Sequence, residues 1–359
     1  VTGVQGDAPA TGTPGPTGES AFGELVPAGH PGGAGRDAAR ADGFPVTGDA
    51  HRALARARLL VAPALNASLV GELERITGRS AEPLTDVPPP PGAPLLCVGD
   101  ALPKALRTER LLWFRSVNAG TDSLLSAGHW PAGALLTRTV GRMGERIAQY
   151  VLAWVLAECQ SVPEFTAQHA RAQWQRLPSE LAAGQTALIY GTGRIGTAVG
   201  RLLQACGVHT VGVARTPRPA ACFDRVIGAD ADREALGAAR WVVSTLPLTE
   251  ATEGFFGADR FGAVRGATFL GVGRGATVDL GALEEALRGG GVRGAVLDVL
   301  PEEPAAPGDP VWRLPRTVIT SHSAGITADE DVAVDFAACW QAVAAGRRPE
   351  AAVDVGRGY

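Results

Sequence analysis

The positions of apolar and polar residues divide the chain into three stretches. In the second half, apolar runs at 186–190, 209–214, 240–245, 267–272, 292–298 and 316–320 alternate with segments of helical period. That βα rhythm predicts an α/β fold with a doubly wound parallel sheet. Earlier in the chain, runs at Arg58–Ala62, Leu95–Val98 and Leu112–Ser116, with helical stretches between them, describe a smaller α/β unit. Ahead of the longer series, Ile147, Tyr150, Val151, Trp154 and Val155 recur at i, i+3, i+4, i+7 and i+8. The spacing predicts an amphipathic helix over 144–159 with one wide apolar face. Residues 1 to about 50 carry little such periodicity.

Composition sharpens that last contrast. Twelve glycines and six prolines fall within residues 1–50, a mixture that cannot bury enough surface to offset chain entropy. The segment is expected to be disordered; one reading of the opening Val1 is an alternative start codon, with part of this stretch never made. The remaining length suffices for two cores. A net charge of −4 offers no basic surplus for nucleic acid, and no apolar run reaches the roughly 18 residues of a membrane span. With no charged-then-apolar leader at the N-terminus, a cytoplasmic protein is expected. Cys97, Cys159, Cys206, Cys222 and Cys339 are scattered and odd in number, which argues against a disulfide framework or a zinc site and for packed thiols. Lys104 is the only lysine, so lysine chemistry has one poor candidate.

The first long apolar run, Leu188-Ile189-Tyr190, enters Gly191-Thr192-Gly193-Arg194-Ile195-Gly196 and leaves into a helical stretch. As strand, tight turn and helix this is a dinucleotide-phosphate cradle, with helix N–H groups free for the phosphates. The second run ends on Arg215-Thr216-Pro217-Arg218, 19 residues past Gly196, where an NAD site usually places an acidic residue. Arg215, Arg218 and the Thr216 hydroxyl suit a 2′-phosphate, so NADP(H) is expected over NAD(H). Asn118-Ala119-Gly120-Thr121-Asp122 directly follows the third early run. Backbone N–H groups there can face a small anion, and an ordinary turn explains the same spacing equally well.

Four further motifs occur in order: Ser244-Thr245-Leu246-Pro247-Leu248-Thr249, Gly273-Arg274-Gly275-Ala276-Thr277-Val278-Asp279, Leu297-Asp298-Val299-Leu300-Pro301-Glu302-Glu303-Pro304 and Thr320-Ser321-His322-Ser323-Ala324-Gly325. Together they resemble the D-isomer-specific 2-hydroxyacid dehydrogenase family, nearest its glyoxylate/hydroxypyruvate reductase branch, which also has a Met-Gly pair before the connecting helix, here Met143-Gly144. The resemblance runs from about residue 58 to the end of the chain.

It implies a flavodoxin-like substrate domain (51–159 plus 326–359, rejoined by a helix from Ile326) and an inserted Rossmann cofactor domain (160–325), assembled as a homodimer. It also implies that Arg274 binds the carboxylate of a small 2-keto acid and polarises its carbonyl, that His322 donates a proton and that Glu303 holds the imidazole. Hydride delivery builds negative charge on the carbonyl oxygen, which calls for a permanent cation and an acid that titrates near neutrality. Asn118, Ala119, Gly120 and Met143 would complete the substrate site. Leu246, Pro247, Val272 and Asp298 would join the glycine turn in holding the cofactor, with Asp298 accepting from the carboxamide and the product of D configuration. No metal is implied. Three positions depart from the family: Gly271 for Asn, Ser321 for Pro and Gln149 for Glu. Residues 117–122 offer no side chain that names the substrate. A phosphoglycerate dehydrogenase, or a dinucleotide-sensing interaction protein such as the corepressors that share this fold and triad, stays open at this point.

Overall fold

The computed structural model describes residues 52–356; the expectations for residues 1–50 lie outside them. Two parallel sheets organise the described chain. The first holds β1 (Arg58–Val61), β2 (Ala81–Pro83), β3 (Leu95–Gly99), β4 (Leu111–Ser116) and β5 (Leu135–Thr137) in the order β2-β1-β3-β4-β5. This is the flavodoxin-like arrangement. The second holds β6 (Thr186–Tyr190), β7 (His209–Val213), β8 (Arg225–Ile227), β9 (Trp241–Ser244), β10 (Ala267–Gly271), β11 (Val292–Leu297) and β12 (Thr317–Ile319). Its order, β12-β11-β10-β9-β6-β7-β8, reverses direction between β6 and β9, which makes the doubly wound topology with its switch point beside the glycine turn.

Side-chain alternation explains why both sheets are covered on two faces. Along β6, Leu188 and Tyr190 enter one core while Ala187 and Ile189 enter the other, and all four are buried. In the first sheet, Leu59, Val61, Trp113 and Leu135 point to one cluster, and Leu60, Phe114 and Leu136 to its opposite. A strand with period 2 and no polar positions is stable only between two apolar layers, each fully buried aliphatic contributing about 1.5–3 kcal/mol.

Two helices tie the sheets together. The predicted amphipathic helix runs from Met143 to Cys159 and buries Ile147, Val151 and Val155 in a core of the second sheet. Gly144 lets its first turn lie close to the helix Arg194–Ala205, since a Cβ there would sit 3.3 Å from the Arg194 carbonyl. The last helix begins at Asp329, three residues after the expected Ile326, which is exposed. It returns Val332, Phe336, Cys339 and Val343 to the first sheet, where Phe336 stacks on Trp113 at 5.4 Å between ring centroids. Its Asp335 accepts from the backbone N–H of Val140 (2.7 Å) and Gly141 (2.8 Å), and Asp331 accepts from Arg142 (3.2 Å) and pairs with Arg146. Two carboxylates thus occupy the N-terminus of the long connecting helix, where its dipole favours negative charge. Cys97, Cys159, Cys222 and Cys339 are buried thiols and Cys206 is half-buried.

Candidate active site

The glycine turn, the Arg274 loop, Asp298 and His322 follow β6, β10, β11 and β12 respectively, so parallel pairing puts all four at one edge of the second sheet. That edge, the carboxyl ends beside a switch point, is where open α/β sheets bind ligands. Gly191 takes φ +95° and donates to Val213 O at 2.9 Å. A Cβ on Gly196 would stand 1.8 Å from the Gly191 carbonyl, which explains why the helix start admits no side chain there. By contrast, among the described residues nothing beyond its chain neighbours lies within 4 Å of where a Gly193 Cβ would project, and no side chain of theirs caps the helix that begins at Arg194. An uncapped helix N-terminus behind an open glycine suits a diphosphate, so the residues fit a dinucleotide. Arg194 and Ile195 form the first helical residues, while Arg215, Thr216 and Arg218 are exposed just past β7.

Gly273 lies so near Leu246 that a Cβ would be 2.4 Å from its carbonyl oxygen, which packs the segment leading to Arg274 onto Leu246-Pro247. Val272 is buried and donates to Ser244 O at 3.0 Å. Arg274 is fixed by two bonds: Nε to Asp122 Oδ2 at 2.6 Å and Nη1 to Gly273 O at 2.9 Å. Its Nη2 rests on Gly120, where a Cβ would approach to 2.0 Å. The arginine of one sheet and the Asn118–Gly120 loop of the other are therefore brought together, and Gly120 is required for clearance. Asp122, not singled out as a site residue from the sequence, orients the guanidinium through its carboxylate. Sequence spacing could not reveal that partnership, which joins positions 152 residues apart.

On the neighbouring strand end, His322 Nδ1 lies 2.8 Å from Glu303 Oε2, and Glu303 Oε1 accepts from Leu300 N at 2.8 Å. Asp298, buried, organises the loop that carries the histidine. Its Oδ1 accepts from Thr320 Oγ1 (2.6 Å), Ser323 N (2.8 Å) and Ala324 N (3.0 Å), and its carbonyl accepts from His322 N at 2.6 Å. The Tyr150 hydroxyl of the connecting helix joins Thr320 Oγ1 at 2.7 Å, and burial pushes that phenol up to about 12. Tyr150 and Thr320 therefore remain neutral hydrogen-bonding groups behind the site. Met143 packs at Gly325, where a Cβ would meet its sulfur at 2.3 Å. Ser321 and His322 both have φ +56°, an arrangement closed to proline. The Ser321 departure thus accompanies a left-handed turn.

The profile "D-isomer specific 2-hydroxyacid dehydrogenase, NAD binding domain" matches residues 152–324. An uncharacterized protein from Streptomyces coelicolor is 60% identical over 271 residues, 75% of this chain and 97% of its own length. Glyoxylate/hydroxypyruvate reductase A of Serratia proteamaculans is 30% identical over 257 residues, covering 70% of this chain and 82% of that protein. The chain belongs to the D-isomer-specific 2-hydroxyacid dehydrogenase family. Among solved structures, a dehydrogenase of this family from Xanthobacter autotrophicus, in complex with NADPH and MES, superposes with a TM-score of 0.76 at 27% identity, covering 85% of this chain and all of that one. The protein is accordingly an NAD(P)-dependent oxidoreductase, and its parallel sheets are the two α/β lobes of such a dehydrogenase. Among the described residues no helix is long and apolar enough to cross a membrane.

Proposed function

We propose that this dehydrogenase is an NADPH-preferring reductase of small 2-keto acids, glyoxylate or hydroxypyruvate, that forms the D-2-hydroxy acid. The observation that carries the reading is the placement of Arg274, held on Gly120 by Asp122, at the same sheet edge as the His322–Glu303 pair. The bound nicotinamide would supply the hydride. Arg274 would take the substrate carboxylate and draw electron density toward the carbonyl oxygen, a geometry suited to a planar guanidinium. The Asn118–Gly120 backbone and Met143 would line the other side from the smaller lobe. His322 would pass its Nε2 proton to the developing alkoxide while Glu303, anchored on Leu300 N, keeps Nδ1 engaged. Arg215, Thr216 and Arg218 would receive the 2′-phosphate, and Asp298 would meet the carboxamide.

The reading includes a substrate lobe of 51–159 plus 326–359, a cofactor lobe of 160–325 and a cytoplasmic homodimer. Exposed Trp174, Leu181 and Phe165, all past the connecting helix, support an apolar contact between two copies. The deciding experiment follows NADPH and NADH oxidation across a panel of 2-keto acids. Turnover of glyoxylate or hydroxypyruvate with NADPH favoured is expected. No turnover on any member, with NADPH still binding, would replace the reductase by a dinucleotide-sensing role.

A further inference from the structure

One cation of the cleft has no part in the steps above. Arg138 follows β5; its side chain is half-buried, and among the described residues its guanidinium reaches the carbonyl of Ala119, Nη1 to O at 3.4 Å. Among the described residues it forms no ion pair. Two other guanidiniums flank it. Arg274 Nη2 rests on Gly120, the residue after Ala119. On the other side Arg194 pairs with Glu350, whose neighbour Ala351 accepts the Arg138 backbone N–H at 3.1 Å. Burial first, then the charges of Arg194 and Arg274, hold the Arg138 guanidinium below its ordinary range, with Asp122 acting in the opposite sense. The two carboxylates nearby are already engaged, Asp122 by Arg274 and the exposed Glu350 by Arg194. A partly desolvated cation between two others is unfavourable until an anion joins it.

We infer that Arg138 binds a second anionic group of the substrate, beside the carboxylate taken by Arg274, so that among the 2-keto acids this reductase turns over, those bearing a distal carboxylate or phosphate are preferred to the monoanions glyoxylate and hydroxypyruvate. This rests on the reductase reading for the identity of the first carboxylate. The competing source of negative charge is the diphosphate of the cofactor, which the glycine turn would hold beside Arg194.

Two measurements on the full chain, each with wild type, Arg138→Met and Arg138→Lys, separate these sources. In the first, calorimetry with NADP+ present compares the unreactive dianion malonate with the monoanion propionate. In the second, steady-state kinetics with NADPH compare 2-oxoglutarate and oxaloacetate with pyruvate and glyoxylate. The wild type should favour dianions by about 10- to 100-fold, the size of one charge-assisted hydrogen bond. Arg138→Met should lose that preference with the monoanions and the KM for NADPH unchanged, and Arg138→Lys should keep part of it. A wild type without dianion preference overturns the inference whether or not the variants fold. So does an equal loss for mono- and dianions, or a rise confined to the KM for NADPH, which would assign Arg138 to the diphosphate. Arg138-dependent dianion binding without turnover of any keto acid would sustain the second anion site while removing the reductase reading.

Discussion

Arg274 crosses from the second sheet to Asp122 of the first, its Nε 2.6 Å from Oδ2. Both side chains are about one-third exposed (31% and 32%), so solvent screens the pair and its share of stability is small, about 0.2–1 kcal/mol. Its importance lies in aim: the bond leaves the Nη2 edge facing Gly120. Asp122→Ala is therefore expected to raise the KM for the keto acid by about three- to tenfold, with the NADPH KM and the melting temperature little changed. Asp122→Asn, which keeps an acceptor, should lose less. Steady-state kinetics beside thermal melts check this, and an unaltered keto acid KM in the alanine variant would show that the arginine needs no such guide.

The histidine follows a different logic. His322→Asn removes the proposed proton donor without touching the glycine turn, so kcat should fall by about 10²–10⁴-fold while NADPH affinity, read by fluorescence quenching, stays within about twofold. Glu303→Gln keeps an oxygen for Leu300 N but removes the charge beside the imidazole, and an intermediate loss is expected. Normal turnover in His322→Asn would remove this residue from the reaction.

On the proposed reading, the choice of cofactor lies at the end of β7. Arg215→Asp should lower the ratio of kcat/KM for NADPH over NADH by about 10- to 100-fold, since one charge-assisted bond to the 2′-phosphate is exchanged for repulsion. A ratio that does not move would place the phosphate elsewhere.

The φ of +56° at Ser321 makes a prediction opposite to family resemblance. Proline, the residue that the family resemblance implies at this position, locks φ near −65° and cannot follow the turn. Ser321→Pro should displace His322 and reduce kcat at least about tenfold without unfolding the protein, whereas Ser321→Gly should remain active. Full activity in the proline variant would mean that the turn has a second, equally competent form.

Asp331 supplies a pH dependence. Burial pushes its carboxyl up, but the Arg146 guanidinium and the N–H groups of Arg142 and Ala328 outweigh this and hold it below the ordinary carboxylate range. The unfolded chain then binds the proton more tightly, so the stabilisation is complete above the unfolded pKa of about 3.9 and is lost as pH falls through the lower folded value. Urea melts of wild type and Asp331→Asn should differ most near neutrality and converge in acid. A gap that persists unchanged through the carboxylate range would separate the stability loss from this charge.

Much of the architecture is written in local pattern. The six strands expected across 186–320 all form, because continuous apolar runs fit a sheet covered on both faces. The strands without a forecast, Ala81–Pro83, Leu135–Thr137 and Arg225–Ile227, are three residues long and lie at sheet edges. Ala81-Glu82-Pro83 has no apolar run at all, and its pairing with β1 comes from tertiary placement. The same distinction holds at the site. Glycine positions and the His322–Glu303 pair lie within recognisable motifs, whereas Asp122 on Arg274 exists only after two separate sheets are brought together, and Arg138 meets Ala119 only once β4 and β5 pair within the first sheet.

Asp298 carries a consequence of another kind. Through one buried oxygen it gathers Thr320, Ser323 and Ala324, and through its carbonyl His322, so the histidine loop is tied to the end of β11, in the sheet that also carries the glycine turn. The arginine's aim, by contrast, is completed by residues from the opposite lobe. On the proposed mechanism, separating the lobes would loosen the aim of Arg274 while leaving the His322 loop held by Asp298. On that reading, changes on the small lobe, from Gly120 to Arg138, would alter substrate choice without touching the His322–Glu303 pair.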